Sequence, residues 1–472
     1  MTPPRRGASW SGGATLLLAG LAAGCRPGLD GELIDVETSV SEVVPSVVLV
    51  DWVSDRPGRS YVEYGLDGAL DLRTPVLEGS SEEHARALLG LKSGRTYSFR
   101  AVTEVEGGET LQSEIGTVDV PLAPPELPPF YVSEVNEAAM QEGGFVLTSI
   151  LTQGPGWTII LDRDGDIVWY YSPGAPLGVP TSRLSLDKKS VMMLTNDFNL
   201  ESDLGAVLRL SLDGEEQTRT RVENSHHDFT ELPDGRIAWI SAETRDVLIG
   251  TDTFNVVGDR ILVRPEGSTD EPEELFNLFD DYAPVWPPCN HFDDTIYGLV
   301  GSKDWSHVNS LMYDDQEDDL LFVSKNFDAR LRVDMTSGQL LEQIGGRYAT
   351  REFAEGAVAW SHGHMSHSYP GGMLLFDNGY HHIPAVSRVV EYAWDGLEDS
   401  VHEVWSYEDP EDRFITLLGD ARKQPNGNVL VAWTSAGFLT EITPGGEVVW
   451  RLDTVVGYNF GRLSWIDDIY GG

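Results

Sequence analysis

Beyond residue 130 the chain repeats one hydrophobic pattern six times. A tight turn leads into a short apolar run: Gly144-Phe145-Val146-Leu147-Thr148, Ser190-Val191-Met192-Met193-Leu194, Arg236-Ile237-Ala238-Trp239-Ile240, Leu320-Leu321-Phe322-Val323-Ser324, Met373-Leu374-Leu375-Phe376-Asp377 and Asn428-Val429-Leu430-Val431-Ala432. Each run is followed by a second hairpin, turned at Asp164-Gly165, Asp213-Gly214, Glu266-Gly267, Ser337-Gly338, Asp395-Gly396 and Gly445-Gly446. Asx-Gly pairs suit such turns because both positions can take positive φ. Several hairpins end in a Trp, as at Trp169 and Trp450. Two hairpins per unit make a four-stranded antiparallel sheet, which cannot bury both faces alone. Six such sheets therefore stack radially as a six-bladed β-propeller. The third unit carries an insertion, about 242–317, rich in acids and prolines. Loops of that length usually cover a site.

Residues 33–120 alternate apolar and polar positions in short runs, such as Ser46-Val47-Val48-Leu49-Val50-Asp51-Trp52. The string Leu88-Leu89-Gly90-Leu91-Lys92-Ser93-Gly94-Arg95-Thr96-Tyr97 resembles the fibronectin type III signature. The resemblance implies a β-sandwich in which Tyr97 bonds back to the preceding turn. Pro121, Pro124, Pro125, Pro128 and Pro129 form a stiff connector. The expected chain is all-β: a signal segment at 1–24, a fibronectin III-like sandwich at 25–120, a linker at 121–130 and a propeller at 131–472.

Composition narrows the function. With 76 Asp+Glu against 33 Lys+Arg, the formal charge of −43 excludes a nucleic-acid partner and a basic lipid-binding patch. The 49 Gly and 26 Pro rule out an all-helical fold. Arg5 and Arg6 precede a short apolar stretch ending Leu21-Ala22-Ala23-Gly24-Cys25, which reads as a bacterial export signal. Its end resembles a lipobox in which Cys25 becomes the lipidated first residue, although Leu21 stands one place further out than usual. Cleavage near Ala23 without lipid is the alternative. Lipidation implies a membrane anchor at the outer membrane or cell surface, and the alternative a periplasmic protein. Cys289, the one other cysteine, reads as a small buried residue. The acidic turn Asp162-Arg163-Asp164-Gly165-Asp166 lacks the spacing of an EF-hand loop, and strand register accounts for it without calcium.

Histidines carry the candidate chemistry. His226 and His227 precede the first hairpin of unit three, His307 that of unit four, and His362, His364 and His367 that of unit five. First strands line a propeller's channel, so equivalent offsets in neighbouring blades converge at one mouth. Three chemistries use such a cluster. A metal-dependent hydrolase would take His362 and His364 with Asp228. Anion binding would pair imidazolium with Lys325 or Arg388, as in a non-catalytic, ligand-binding surface propeller. Nucleophilic catalysis would use one imidazole as attacking group and another as acid/base.

The ordered set His226-His227-Asp228, His307-Val308-Asn309-Ser310, Gly363-His364 and Phe376-Asp377-Asn378-Gly379, with Pro425-Asn426-Gly427-Asn428 and Thr434, resembles the bacterial arylsulfate sulfotransferases. The resemblance spans Phe145 to Trp450. It implies transfer of a sulfuryl group from a phenolic sulfate ester to a phenolic acceptor, with no cofactor. By position His364 would be the nucleophile, forming a sulfohistidine, and His227 or His226 the acid/base. His307, Asn309, Lys325, Asn378 and Thr434 would hold the substrate. Where the family usually has Arg, this chain has Lys325, which keeps the charge without the planar fork. No Gly-x-x-x-x-Gly-Lys-[Ser/Thr] loop occurs, so a nucleotide sulfate donor is unsupported.

Overall fold

The computed structural model describes residues 33–151, 154–200, 202–284, 298–394, 400–455 and 457–471. Cys25, Cys289 and the Asp395-Gly396 turn lie outside them.

Six antiparallel sheets follow one another along the chain. Blade two is the plainest: Gly178–Leu184, Ser190–Asn196, Ala206–Ser211 and Gln217–Arg221 pair in sequence order. In blades two to six the apolar run of the repeat is the second strand, and the strand before it is innermost. Those inner strands are Gly178–Leu184, Ser225–Glu231, Val308–Asp314, Gly363–Tyr369 and Asp420–Lys423. Blade one closes the ring differently. Its Phe145–Leu151 strand pairs with the C-terminal strands Asn459–Phe460 and Ser464–Ile466. Phe130–Val135 meanwhile adds an outer strand to blade six beside Val448–Thr454. Both ends of the propeller are thus sewn into the ring.

Blades pack through buried aromatics. Trp169, Trp239 and Trp450 are fully buried. Each indole N–H needs an acceptor once removed from water. Trp169 donates to Leu212 O at 3.0 Å, and Trp450 to Arg163 O at 2.9 Å, each reaching the turn of a neighbouring blade. The two Trp-ending hairpins therefore act as latches between blades.

The insertion of unit three is largely regular. Arg236–Ile249 and Asp252–Pro265 form one long ribbon, paired residue for residue from Arg236↔Pro265 to Ile249↔Asp252. Lys303–Asp304 then returns to pair in parallel with Val256 and Val257. That return carries Asp304 to the channel.

Ahead of the propeller, strands between Leu33 and Asp119 form a separate β unit with its own core of Val48, Val50, Trp52, Val62, Tyr64, Tyr97 and Phe99. The long strand Val48–Leu66 pairs with Leu77–Leu88 along its first half and with Thr96–Val105 along its second. Tyr97 Oη accepts from Lys92 N at 3.0 Å. Lys92 also answers the acidic turn of blade one: its ammonium lies 3.0, 2.6 and 2.8 Å from carboxylates of Asp162, Asp164 and Asp166. A lysine of the preceding unit thus fills the place a cation would take.

Candidate active site

At one mouth of the channel the inner strands of blades three, four and five begin with the same distortion. His227, His307 and His362 all have positive φ, at 51°, 49° and 56°. Each sits by a break in the register, at Ser225/Phe229, Val308/Ser310 and Gly363/Ser366. A bulge re-aims side chains that a regular strand would turn into the blade. A non-glycine residue at positive φ is strained, and such strain concentrates at functional sites.

The rings that meet are His227, His307 and His364. Centroids of His227 and His307 are 4.9 Å apart, and those of His227 and His364 are 5.6 Å apart. His364 lies two residues past the bulge position of its blade, so equal offset does not decide membership. His362, at the equal offset, lies against Tyr380 and places its Nε2 3.0 Å from His381 Nε2.

Two carboxylates orient the imidazoles, and both come from the insertion. Asp259 Oδ1 is 2.8 Å from His226 Nε2, and His226 Nδ1 is 2.9 Å from His227 Nδ1. His226 is fully buried behind His227, which faces the other two rings. Burial pushes the Asp259 carboxyl up, but the His226 ring and the Val308 and Ser306 donors outweigh it and hold it low. Asp304 bonds His307 Nδ1 and so orients the ring that meets His227. Burial raises the Asp304 carboxyl to about 7.

Two of these rings, His227 and His364, are held neutral. Burial, then the charges of His307, His226, His364 and Lys325, hold His227 well below the ordinary imidazole range. His364 is lowered to about 3 by burial, then by His307 and Lys325, against weaker opposition from Asp228 and the Gly419 backbone. The Lys325 ammonium makes no ion pair among the described residues. It is therefore a cation open to a ligand beside two neutral rings.

Other expected site residues serve differently. Asn378 spends both amide hydrogens on Ile415 O and Leu418 O, so it braces the loop that brings Gly419 beside His364 and is not free to donate to substrate. Asn309 donates to Gly363 O at 3.3 Å, while its Oδ1 is buried without a partner among the described residues. Thr434 Oγ1 is likewise buried and unpartnered among the described residues. Arg388 is committed to Asp377, Glu403 and Val358 O, so it is no anion ligand.

The metal set of His362, His364 and Asp228 is not assembled. Asp228 Oδ2 accepts from Arg183, Arg462 and Leu311 N, and Oδ1 from Phe229 N. Four donors already engage this carboxylate, and the rings of His362 and His364 turn to different neighbours. His367 lies further along its strand, away from the cluster and among arginines.

His227, His307 and His364, with the His226–Asp259 pair behind them and Lys325 beside them, thus gather at one mouth of a propeller channel. The family described as Arylsulfotransferase (ASST) matches residues 132–456, and the chain belongs to that family. It is an enzyme that transfers sulfuryl groups, with phenolic sulfate donors and phenolic acceptors as its substrate class. No curated protein matches the chain. Among solved structures, a protein of unknown function from Bacteroides caccae is 14% identical, with a TM-score of 0.41, over 68% of this chain and 100% of that one. A streptogramin B lyase is 13% identical, with a TM-score of 0.38, over 71% and 98%. A virginiamycin B lyase from Staphylococcus aureus is 13% identical, with a TM-score of 0.34, over 68% and 88%.

Proposed function

We propose that transfer proceeds without a nucleotide and in two steps through a sulfohistidine at His364. The convergence of His227, His307 and His364 from three blades, with His364 held neutral, carries this reading. In the first step the His364 lone pair attacks sulfur. The N–S bond forms as the S–O bond to the aryl group breaks, and the phenolate leaves with that electron pair. His227 Nε2–H protonates it.

The relay balances the proton. In the acid form His226 is an imidazolium, donating from Nε2 to Asp259 and from Nδ1 to His227 Nδ1. As His227 gives up its Nε2 proton, the Nδ1 proton of His226 crosses to His227. In the second step the acceptor phenol returns a proton to His227 Nε2 while its oxygen takes the sulfuryl group from His364. His307 Nε2 and the Lys325 ammonium lie on the side where charge gathers on the sulfuryl oxygens.

The test is a quenched incubation with 4-nitrophenyl sulfate and no acceptor, followed by peptide mapping. A sulfuryl adduct on His364 is the expected result. Full turnover with no adduct on any histidine would overturn the two-step reading.

The unit before the propeller is, in our reading, a fibronectin type III-like spacer, and the Tyr97–Lys92 bond supports it. Lipidation of Cys25 would tether the enzyme to the outer membrane or cell surface by that spacer. Radiolabelled palmitate incorporation lost in Cys25→Ala is the expected outcome, and equal incorporation in the variant would overturn it.

A further inference from the structure

The inner strands all run the same way along the channel, so residues near their ends gather at the mouth opposite the imidazoles. Four basic side chains meet there: Arg183 late in Gly178–Leu184, His367 in Gly363–Tyr369, Arg422 in Asp420–Lys423, and Arg462 just before Ser464–Ile466. They line a cavity of about 550 Å³. In a chain of net charge −43, such a concentration of buried cations runs against composition.

Its internal neutralisation is incomplete. Asp228 Oδ2 accepts from Arg183 Nη2 and from Arg462 Nη1, both at 2.6 Å, so two guanidiniums share one carboxylate oxygen. Arg422 donates from Nε to Leu463 O at 2.8 Å. The nearest carboxylate, Asp420, is 3.4 Å from Arg422 Nη2 and is already bonded to the N–H groups of Leu463 and Ala421. Three guanidiniums thus face two carboxylates. Asp467 stands at the rim, bonded to the Trp465 indole. Lys423, also at the rim, pairs with Glu391.

Donors remain unused. Arg183 Nε and His367 Nδ1 are buried with no partner among the described residues. Buried polar groups are rarely left so unless a ligand or water satisfies them. The strain also shows in the proton equilibria. Burial, then Arg462, lowers Arg183 to about 10 and Arg422 to about 9, and burial with the three arginines holds His367 well down. Arg183 and Arg422 are thus buried guanidiniums whose burial is not offset by an anion, and His367 is a neutral ring among them.

We propose that this mouth is a second binding site, taking a small tetrahedral oxyanion on Arg422, Arg183 and His367. The planar forks of Arg422 and Arg183 match an anion that presents several oxygens at once. The site is walled from the sulfuryl-transfer cluster by Asp228, and does not depend on which imidazole is the nucleophile.

Calorimetric titration of the full chain with inorganic sulfate tests the proposal, using wild type, Arg422→Gln and Lys325→Gln. Arg422 is the suitable probe because Asp420 keeps its two backbone donors without it. Sulfate should show an Arg422-dependent binding event in both wild type and Lys325→Gln, and Arg422→Gln should weaken that event at least about tenfold, the loss of one charge-assisted contact. Benzenesulfonate, titrated in parallel, separates a free ion from the head of an aryl compound. Dependence on Arg422 for either ligand supports the site. Equal affinity of both ligands in wild type and Arg422→Gln, or binding lost only in Lys325→Gln, would overturn it. Should Arg422→Gln fail to fold, arginine-selective dicarbonyl labelling of wild type replaces it. Sulfate is then expected to protect Arg422, and an unchanged labelling rate would count against the site.

Discussion

His226 and His227 face each other Nδ1 to Nδ1 at 2.9 Å, although adjacent residues in a regular strand point to opposite faces. The left-handed backbone at His227 brings its ring round to meet its neighbour. The pair joins the buried Asp259 to the channel, and in the proposed mechanism it ties that carboxylate to the proton a leaving phenolate needs.

Asp259→Asn breaks this relay without removing a ring. Its effect should grow with the basicity of the leaving phenol, because only a poor leaving group needs the acid. Transfer from 4-nitrophenyl sulfate should change little, and transfer from phenyl sulfate should fall by about 10²-fold. A leaving-group series of kcat/KM against phenol pKa reads this as a steeper slope in the variant. Parallel slopes would leave Asp259 with a structural role alone.

In the proposed mechanism Lys325 supplies charge where the sulfuryl oxygens gather. Lys325→Ala should lower kcat/KM by roughly 10²–10³-fold, the usual cost of removing one preorganised charge. Lys325→Arg should retain most of the activity, since the charge is what the His227 and His364 environment registers. Steady-state kinetics on the two variants checks both statements.

The Lys92 ammonium holds three carboxylates together, and Asp162, Asp164 and Asp166 offer oxygens within 4.8 Å of one another. Lys92→Ala should lower the unfolding midpoint, because three like charges are left facing one another. Millimolar calcium should recover part of that loss in the variant and leave wild type unchanged. Thermal unfolding with and without calcium decides it.

His84, stacked on Trp52 with centroids 5.0 Å apart, is lowered to about 4 by burial and then by Arg86. Its folded-state value lies below its unfolded one, so the unfolded chain binds the extra proton between about pH 6.5 and pH 4. Stability from neutral His84 is full above pH 6.5 and is lost as pH falls towards 4. Asp304 and Asp328, both raised to about 7 by burial, act in the opposite sense. The test therefore compares wild type with His84→Gln. Between pH 7 and pH 5 wild type should lose about 1 kcal/mol more stability in urea titrations, allowing for solvent screening.

Much of the fold was legible because the propeller repeats its punctuation. Asp164-Gly165 and Asp213-Gly214 mark their hairpins, and the buried runs around Met192 and Phe322 mark second strands. Closure was not legible, since Asn459–Phe460 and Ser464–Ile466 are too short to carry a period. The motifs that carry His227, His307 and His364 were visible in the sequence, and the structure brings the three rings together. Their carboxylates were harder. Asp259 reaches His226 from 33 residues away, through a ribbon that reads as an insertion. Asp304 did leave a signal, three residues before His307. Asp228 was misread as a possible metal ligand because Arg183 and Arg462, its partners, come from other blades, far from it in sequence. Asn378 was placed on substrate because nothing in its motif shows that the 415–418 loop consumes its amide.

The most direct measurement is acceptor-dependent release of 4-nitrophenol from 4-nitrophenyl sulfate by wild type and by His364→Ala. The account predicts parallel lines in double-reciprocal plots for wild type when donor and acceptor are varied, and loss of release in the variant. Sustained acceptor-dependent release by folded His364→Ala would contradict it.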